Sequence, residues 1–144
     1  MDTYILALET SSSWCSVALL SQVNGQTHCI ARTHEGAAEH TRKLLPMADA
    51  LLRTASVDHQ ALSAVAFGQG PGAFTGLRVA CGLAQGMALG LGIPVIPVAS
   101  LQVLAAQAAD GRDQADASYP AVHVVVQDAR MGEAYVAAYR VPEQ

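Results

Sequence analysis

Residues 64–98 read AVAFGQGPGAFTGLRVACGLAQGMALGLGIPVIPV, and no other stretch limits the fold as strongly. An apolar run, Ala64 to Phe67, meets a turn carrying Gly68, Gly70 and Gly72. A helix is expected from Gly72 to about Leu91, and Pro94 to Val98 is a second strand-length run. Strand, helix, strand in so short a span implies a right-handed crossover between parallel neighbours, and hence the α/β class. Ser100 to Ala109 reads as a further helix, with Ser100 as its cap. The glycines leave two meanings open: a turn that cradles a phosphate, or a helix surface smoothed so that another element can press against it.

Upstream, Tyr4 to Leu8 and Cys15 to Leu20 are strand-length apolar runs, and Gln26 to His34 follows Asn24-Gly25, a strong hairpin signal. From Leu44, apolar or small residues recur at 44, 45, 48, 51, 52 and 55, the spacing of an amphipathic helix, with Pro46 near its first turn or at a kink. Three antiparallel strands continued by two parallel ones therefore form the sheet. At 144 residues and 51% hydrophobic, the chain can bury one full core. Residues 1–110 are expected to form a complete lobe, and 111–120, polar and aperiodic, a linker. Residues 121–144 read as the opening hairpin of an incomplete second lobe, because VHVVVQDARMGEAYVAAYR repeats the grammar of ILALETSSSWCSVALL. A lone hairpin is marginal in water, so a longer natural chain is expected.

Net charge is −4, Lys43 is the one lysine, and the seven arginines are scattered, so nothing forms a stripe that would neutralise phosphates. Direct binding of nucleic acid is not expected. Cys15, Cys29 and Cys81 are odd in number and show no C-x-x-C spacing, which fits a reducing, cytoplasmic setting without a disulfide framework or zinc. His28, His34, His40, His59 and His123 show no metal-ligand spacing. No metal and no cofactor are expected. Val79 to Ala99 is nearly uncharged and about long enough to span a bilayer, yet Gly90, Gly92, Pro94 and Pro97 divide it into a helix and a strand, so no membrane is expected.

Gly68, Gly70 and Ala73 satisfy G-x-G-x-x-G/A, but the following strand, PVIPV, leads into Ala99-Ser100 without the acid that would hold a ribose. No Lys-Ser/Thr pair follows the glycines as in a P-loop. Glycine inside a helix costs about 1 kcal/mol relative to alanine, so Gly76, Gly82, Gly86 and Gly90 need an offsetting gain. At 100° per residue, Gly72, Gly76, Ala80, Gly82, Gly86 and Gly90 fall within an arc of about 160°, with Val79, Leu83 and Met87 on the same side. That face lies on its own sheet or against another helix, and both readings stand. Glu9 and Asp128 each end an apolar strand, where ligands sit in open α/β sheets, and Thr10, Ser11 and Ser12 offer hydroxyls and amides to a phosphate. The alternative for these residues is a polar hairpin turn.

The segments ILALETSSSWCSVAL, HTRKLLPMADALL, GPGAFTGLRVACGLAQG and VQDARMGEAYVAAYR, in this order, resemble the TsaB (YeaZ) family. The resemblance implies the actin, sugar-kinase and Hsp70-like (ASKHA) fold, with a mixed five-stranded sheet. It implies a non-catalytic subunit that binds and activates TsaD, with the ATPase TsaE, for threonylcarbamoylation of the adenosine beside the tRNA anticodon. It also implies a homodimer when alone. Both contacts would use the two long helices, here His40, Leu44, Met47, Leu51, Gly76, Leu77, Ala80, Leu83 and Met87. TsaD carries a metal-holding histidine pair just after its counterpart of PVIPV, where this chain has Ala99 to Leu104. Two departures stand out: Glu9 replaces the family's more frequent aspartate, and the family is longer. The alternative function is a nucleotide-dependent ASKHA-type enzyme using a Glu9/Asp128 cleft.

Overall fold

The computed structural model describes residues 2–110 and 122–140. The expected linker, 111–120, lies outside the described residues. The chain divides into two compact units, Met1–Val98 and Ala99–Gln144.

In the first unit, β1 (Thr3–Glu9), β2 (Trp14–Val23) and β3 (Gln26–Glu35) form an antiparallel meander. The β2–β3 turn is Asn24-Gly25, both at positive φ (51° and 77°), the conformation that lets a two-residue loop follow the strand twist. Helix α1 (His40–Ala55) returns the chain to β4 (Ala64–Gly70), which pairs parallel with β1. Helix α2 (Phe74–Leu91) crosses to β5 (Val95–Ala99), giving the sheet order β3-β2-β1-β4-β5. This is the mixed five-stranded sheet expected for the first lobe. Helix α1 starts four residues before the apolar periodicity, at His40, so Pro46 lies in its second turn.

Strand register explains the core. Leu6 sits opposite Leu19 and Val65, and Leu8 opposite Val17, so period-two alternation puts all five on one face. Against that face α1 packs Leu44, Ala48, Leu51 and Leu52, and α2 packs Ala80, Ala84 and Ala88, every one at most 5% exposed. Small residues in steps of four let α2 lie close to the strands. Helix α2 meets the length and composition of a membrane span; its alanine row is buried in this core.

In the second unit, α3 (Ser100–Asp110) lies against the hairpin of β6 (Val122–Arg130) and β7 (Glu133–Arg140). The expected Ser100 cap does not form, and its Oγ is buried without a hydrogen-bond partner. Strand β5 runs straight into α3, so Ser100 is the first helical residue, whereas a cap needs the non-helical residue before it.

A polar clamp ties the end of β3 to the start of α1. His34 Nε2 lies 2.6 Å from Glu39 Oε2, and Arg42 donates to Glu39 Oε1 at 2.8 Å. The His34 imidazole first, and the Arg42 guanidinium second, hold the Glu39 carboxyl below its ordinary value of 4.5. The stabilisation from a depressed carboxylate is complete above its ordinary value and is lost as pH falls through the lower folded value. Thermal unfolding midpoints are therefore expected to fall below pH 4.5, and Glu39→Gln to remove that part of the slope; an unchanged slope in this variant refutes the clamp.

Candidate functional site

The turn between β1 and β2, residues 9–13, is where the sequence's two candidate sites meet. Strand β1 delivers Glu9 to its end, and the carboxylate folds back so that Oε1 accepts from the Ser11 amide. Thr10 is completely buried, and its Oγ1 donates to the Gly76 carbonyl at 2.6 Å. Ser11 O accepts from Ala73 N at 2.6 Å, just before α2 begins. Ser12 Oγ accepts from Trp14 N at 3.1 Å. His40, 4% exposed at the first residue of α1, donates from Nε2 to Ser12 O at 2.9 Å. The turn is thus fastened to the starts of both long helices.

The glycines of the β4–α2 turn make room for it. A Cβ on Gly76 would stand 1.8 Å from Thr10 O, one on Gly72 2.6 Å from Ser11 O, and one on Gly68 2.0 Å from Glu9 Oε2. All lie inside the distance that real Cβ atoms keep. The loop that resembled a phosphate cradle is filled by the chain's own turn. For the nucleotide-binding expectation at Glu9, Thr10, Ser11 and Ser12, the structure engages the Thr10 hydroxyl, the Ser11 amide and Glu9 Oε1 in local hydrogen bonds, while Ser12 Oγ accepts from the Trp14 amide. Asp128, in the second unit, is exposed and accepts from the Arg130 amide at 2.8 Å through Oδ1. Both acids therefore do the same local work, closing a hairpin turn by bonding the amide two residues on.

The helix-face expectation needs correction. His40, Leu44, Leu51 and Ala80 are 4%, 1%, 1% and 0% exposed, and Gly76 is also buried. These five belong to the unit's own core. Met47, Leu77, Leu83 and Met87 are half-buried. The 160° arc joined two rows with opposite fates. Gly76, Ala80, Ala84 and Ala88 face the strands, whereas Gly82, Gly86 and Gly90 have nothing within 4 Å of where a Cβ would stand. Beside the open row lie Phe74 and Leu89, 67% and 86% exposed; elsewhere, Leu45 of α1 is 44% exposed. Arg78 holds its guanidinium 3.9 Å from the Phe74 ring centroid, a cation–π contact that presents the ring to solvent. The sequence reading missed Phe74, Leu89 and Leu45. A helical wheel phased on the alanine row would have found Leu89, which projects roughly opposite its centre.

Among the described residues, no group of three His, Cys, Asp or Glu side chains could hold a metal ion. Burial raises the Cys15 thiol above its ordinary range, which keeps it protonated and unreactive; Cys29 is exposed.

An α/β lobe with a mixed five-stranded sheet, its glycine turn closed by its own first hairpin, defines the class. A family model described as "TsaD: tRNA N6-adenosine threonylcarbamoyltransferase" matches residues 31–144, and two relatives named "tRNA threonylcarbamoyladenosine biosynthesis protein TsaB" align with most of the chain. The one from Haemophilus influenzae is 43% identical over 91% of this chain and 51% of its own length. The one from Escherichia coli is 40% identical over 96% and 56%. The solved structure titled "YeaZ from Pseudomonas aeruginosa" superposes with a TM-score of 0.81 at 38% identity, covering 98% of this chain and 62% of that one. The chain belongs to the TsaB (YeaZ) branch of this family, and it spans about half the length of the curated relatives it matches.

The fit of turn against helix makes a sharp expectation. Gly76→Ala forces backbone against backbone at Thr10 and should destabilise the protein by about 3 kcal/mol, read from urea unfolding; a change under about 1 kcal/mol contradicts the packing.

Proposed function

We propose that this chain acts as a non-catalytic partner subunit in tRNA threonylcarbamoyladenosine biosynthesis. In this reading it binds and activates a TsaD-type transferase, with a TsaE-type ATPase, and pairs with itself through the same helix face when alone. The reaction it serves places threonylcarbamoyl on the adenosine beside the anticodon in tRNAs that read codons beginning with adenine. The names of the TsaB relatives and the TsaD family model supply the pathway. The net charge of −4 and the scattered arginines support a protein partner in preference to direct contact with tRNA.

One observation carries the reading. Gly82, Gly86 and Gly90 meet nothing in their own chain, yet each weakens the helix by about 1 kcal/mol relative to alanine. Together that is about 3 kcal/mol with no intramolecular gain, whereas the glycines at 68, 72 and 76 each admit the β1–β2 turn. A helix docking from outside supplies the missing gain, because a glycine floor lets two backbones approach closely. Phe74 and Leu89, aromatic and aliphatic, flank that floor as anchors of the kind that dominate interface energies. The nucleotide-enzyme alternative finds the Thr10 hydroxyl and the Ser11 amide already engaged within the chain; titration calorimetry with Mg-ATP tests it directly, and tight binding with turnover would favour it.

Two substitutions at one position separate the subunit reading from a purely structural glycine. Gly82→Ala should raise the stability of the isolated chain by about 0.5–1 kcal/mol. Gly82→Leu should leave the fold intact and weaken co-elution with a TsaD-type subunit by at least about tenfold. Undiminished binding by the leucine variant, with native circular dichroism, defeats the proposal. Ala80 is unsuitable for this test because it is fully buried.

A further inference from the structure

Arg78 is the one charged residue among the eighteen of α2. Arg32, Arg42 and Arg53 each donate to an oxygen within their own unit, at Thr54, Glu39 and Asp49. Among the described residues no carboxylate pairs with Arg78; its guanidinium lies 3.9 Å from the Phe74 ring centroid instead. Its own helix does not reward the charge, because a cation is favoured in the last turn and Arg78 stands in the second. Stacking uses the flat face of the group and leaves its edge, which carries the N–H donors, for another contact. Phe74 is thus a platform that holds the fork in place. Both residues belong to the first unit, Met1–Val98.

A flat fork of donors matches a carboxylate, which it grips with two parallel hydrogen bonds. Phe74, Arg78 and Gly82 follow at intervals of four, so an element laid along the open glycine row meets the guanidinium at the end of that row. The long helices of a second copy do not supply the acid. Helix α2 holds none, and the one acid of α1, Asp49, already engages Arg53 and His59. Nucleic acid does not fit either, since one cation on a chain of net charge −4 makes too few phosphate contacts. The matching chemistry is an aspartate or glutamate on a different protein.

We propose that Arg78, held flat on Phe74, is the specificity residue of the α2 face: it receives an Asp or Glu carboxylate from a different subunit and so favours that subunit over a second copy of this chain. Arg78 plays this part only if the helix-face reading above holds, whereas that reading survives without it. The test is the affinity of a purified TsaD-type subunit for the chain and its variants, measured at about 0.05 M and about 0.5 M salt. Arg78→Gln should weaken binding at low salt by at least about tenfold and flatten the salt dependence, with self-association unchanged. Arg78→Lys should recover only part of the loss, because an ammonium keeps the charge without the fork. Arg78→Glu should be rescued by replacing one aspartate or glutamate of the TsaD-type subunit with arginine; a scan without any rescuing position overturns the proposal. Wild-type affinity and salt dependence in Arg78→Gln, with binding lost in Gly82→Leu, overturns this assignment alone. If both variants bind normally, the helix-face reading falls with it. A lower thermal midpoint for isolated Arg78→Gln, an equal loss of self-association, or loss of bulk tRNA binding with protein affinity intact also overturns it, since each places the partner of the guanidinium elsewhere.

Discussion

The contact between Thr10 and Gly76 governs the arrangement of the first unit. A fully buried hydroxyl donates to the carbonyl of a residue in the first turn of α2, and the Thr10 carbonyl lies where a Cβ at 76 would stand. An unpaired hydroxyl in that place would carry a desolvation penalty of about 1–3 kcal/mol, so helix and turn are held in one relative position. From it follow the alanine row against the strands, the outward aim of Gly82, Gly86 and Gly90, and the placing of His40 beneath Ser12. The outward face of α2 is thus set by a hydrogen bond on the far side of the helix.

Much of this was legible beforehand. Alternation along β1 and β2, the Asn24-Gly25 turn and the strand–turn–helix pattern of 64–98 sufficed for the sheet order, because each is a local signal with one common structural meaning. The glycine turn was legible as a place of close approach, but the approaching partner was not. A dinucleotide, a foreign helix and residues 9–11 of the same chain all ask for missing Cβ atoms. Only the three-dimensional pairing of β1 with β4 brings the last of these to the glycines.

The helix face was only partly legible, for a different reason. Glycine and alanine have nearly the same size on a helical wheel, so Gly76 and Ala80 merged with Gly82 and Gly86 into one arc. The phase of α2 relative to the sheet separates them, and polarity cannot report it: α2 carries one charged residue, Arg78, in eighteen. Helix α1 suffers less, since its charged side chains mark the solvent side, yet His40 still deceived. A polar residue at a helix start reads as surface, whereas here its ring is buried to reach the Ser12 carbonyl. Ser100 misled similarly, because no loop separates β5 from α3.

The Glu9 side chain binds together two positions that lie far apart along the chain. Its second oxygen occupies the volume above the Gly68 α-carbon, while its first closes the turn at Ser11. An aspartate, one methylene shorter, can serve the Ser11 amide without reaching over the neighbouring strand, and residue 68 would then be free to carry a methyl group. The reach of the acid and the bareness of residue 68 are thus physically coupled: a Cβ at 68 and the Glu9 carboxylate in its present place cannot coexist.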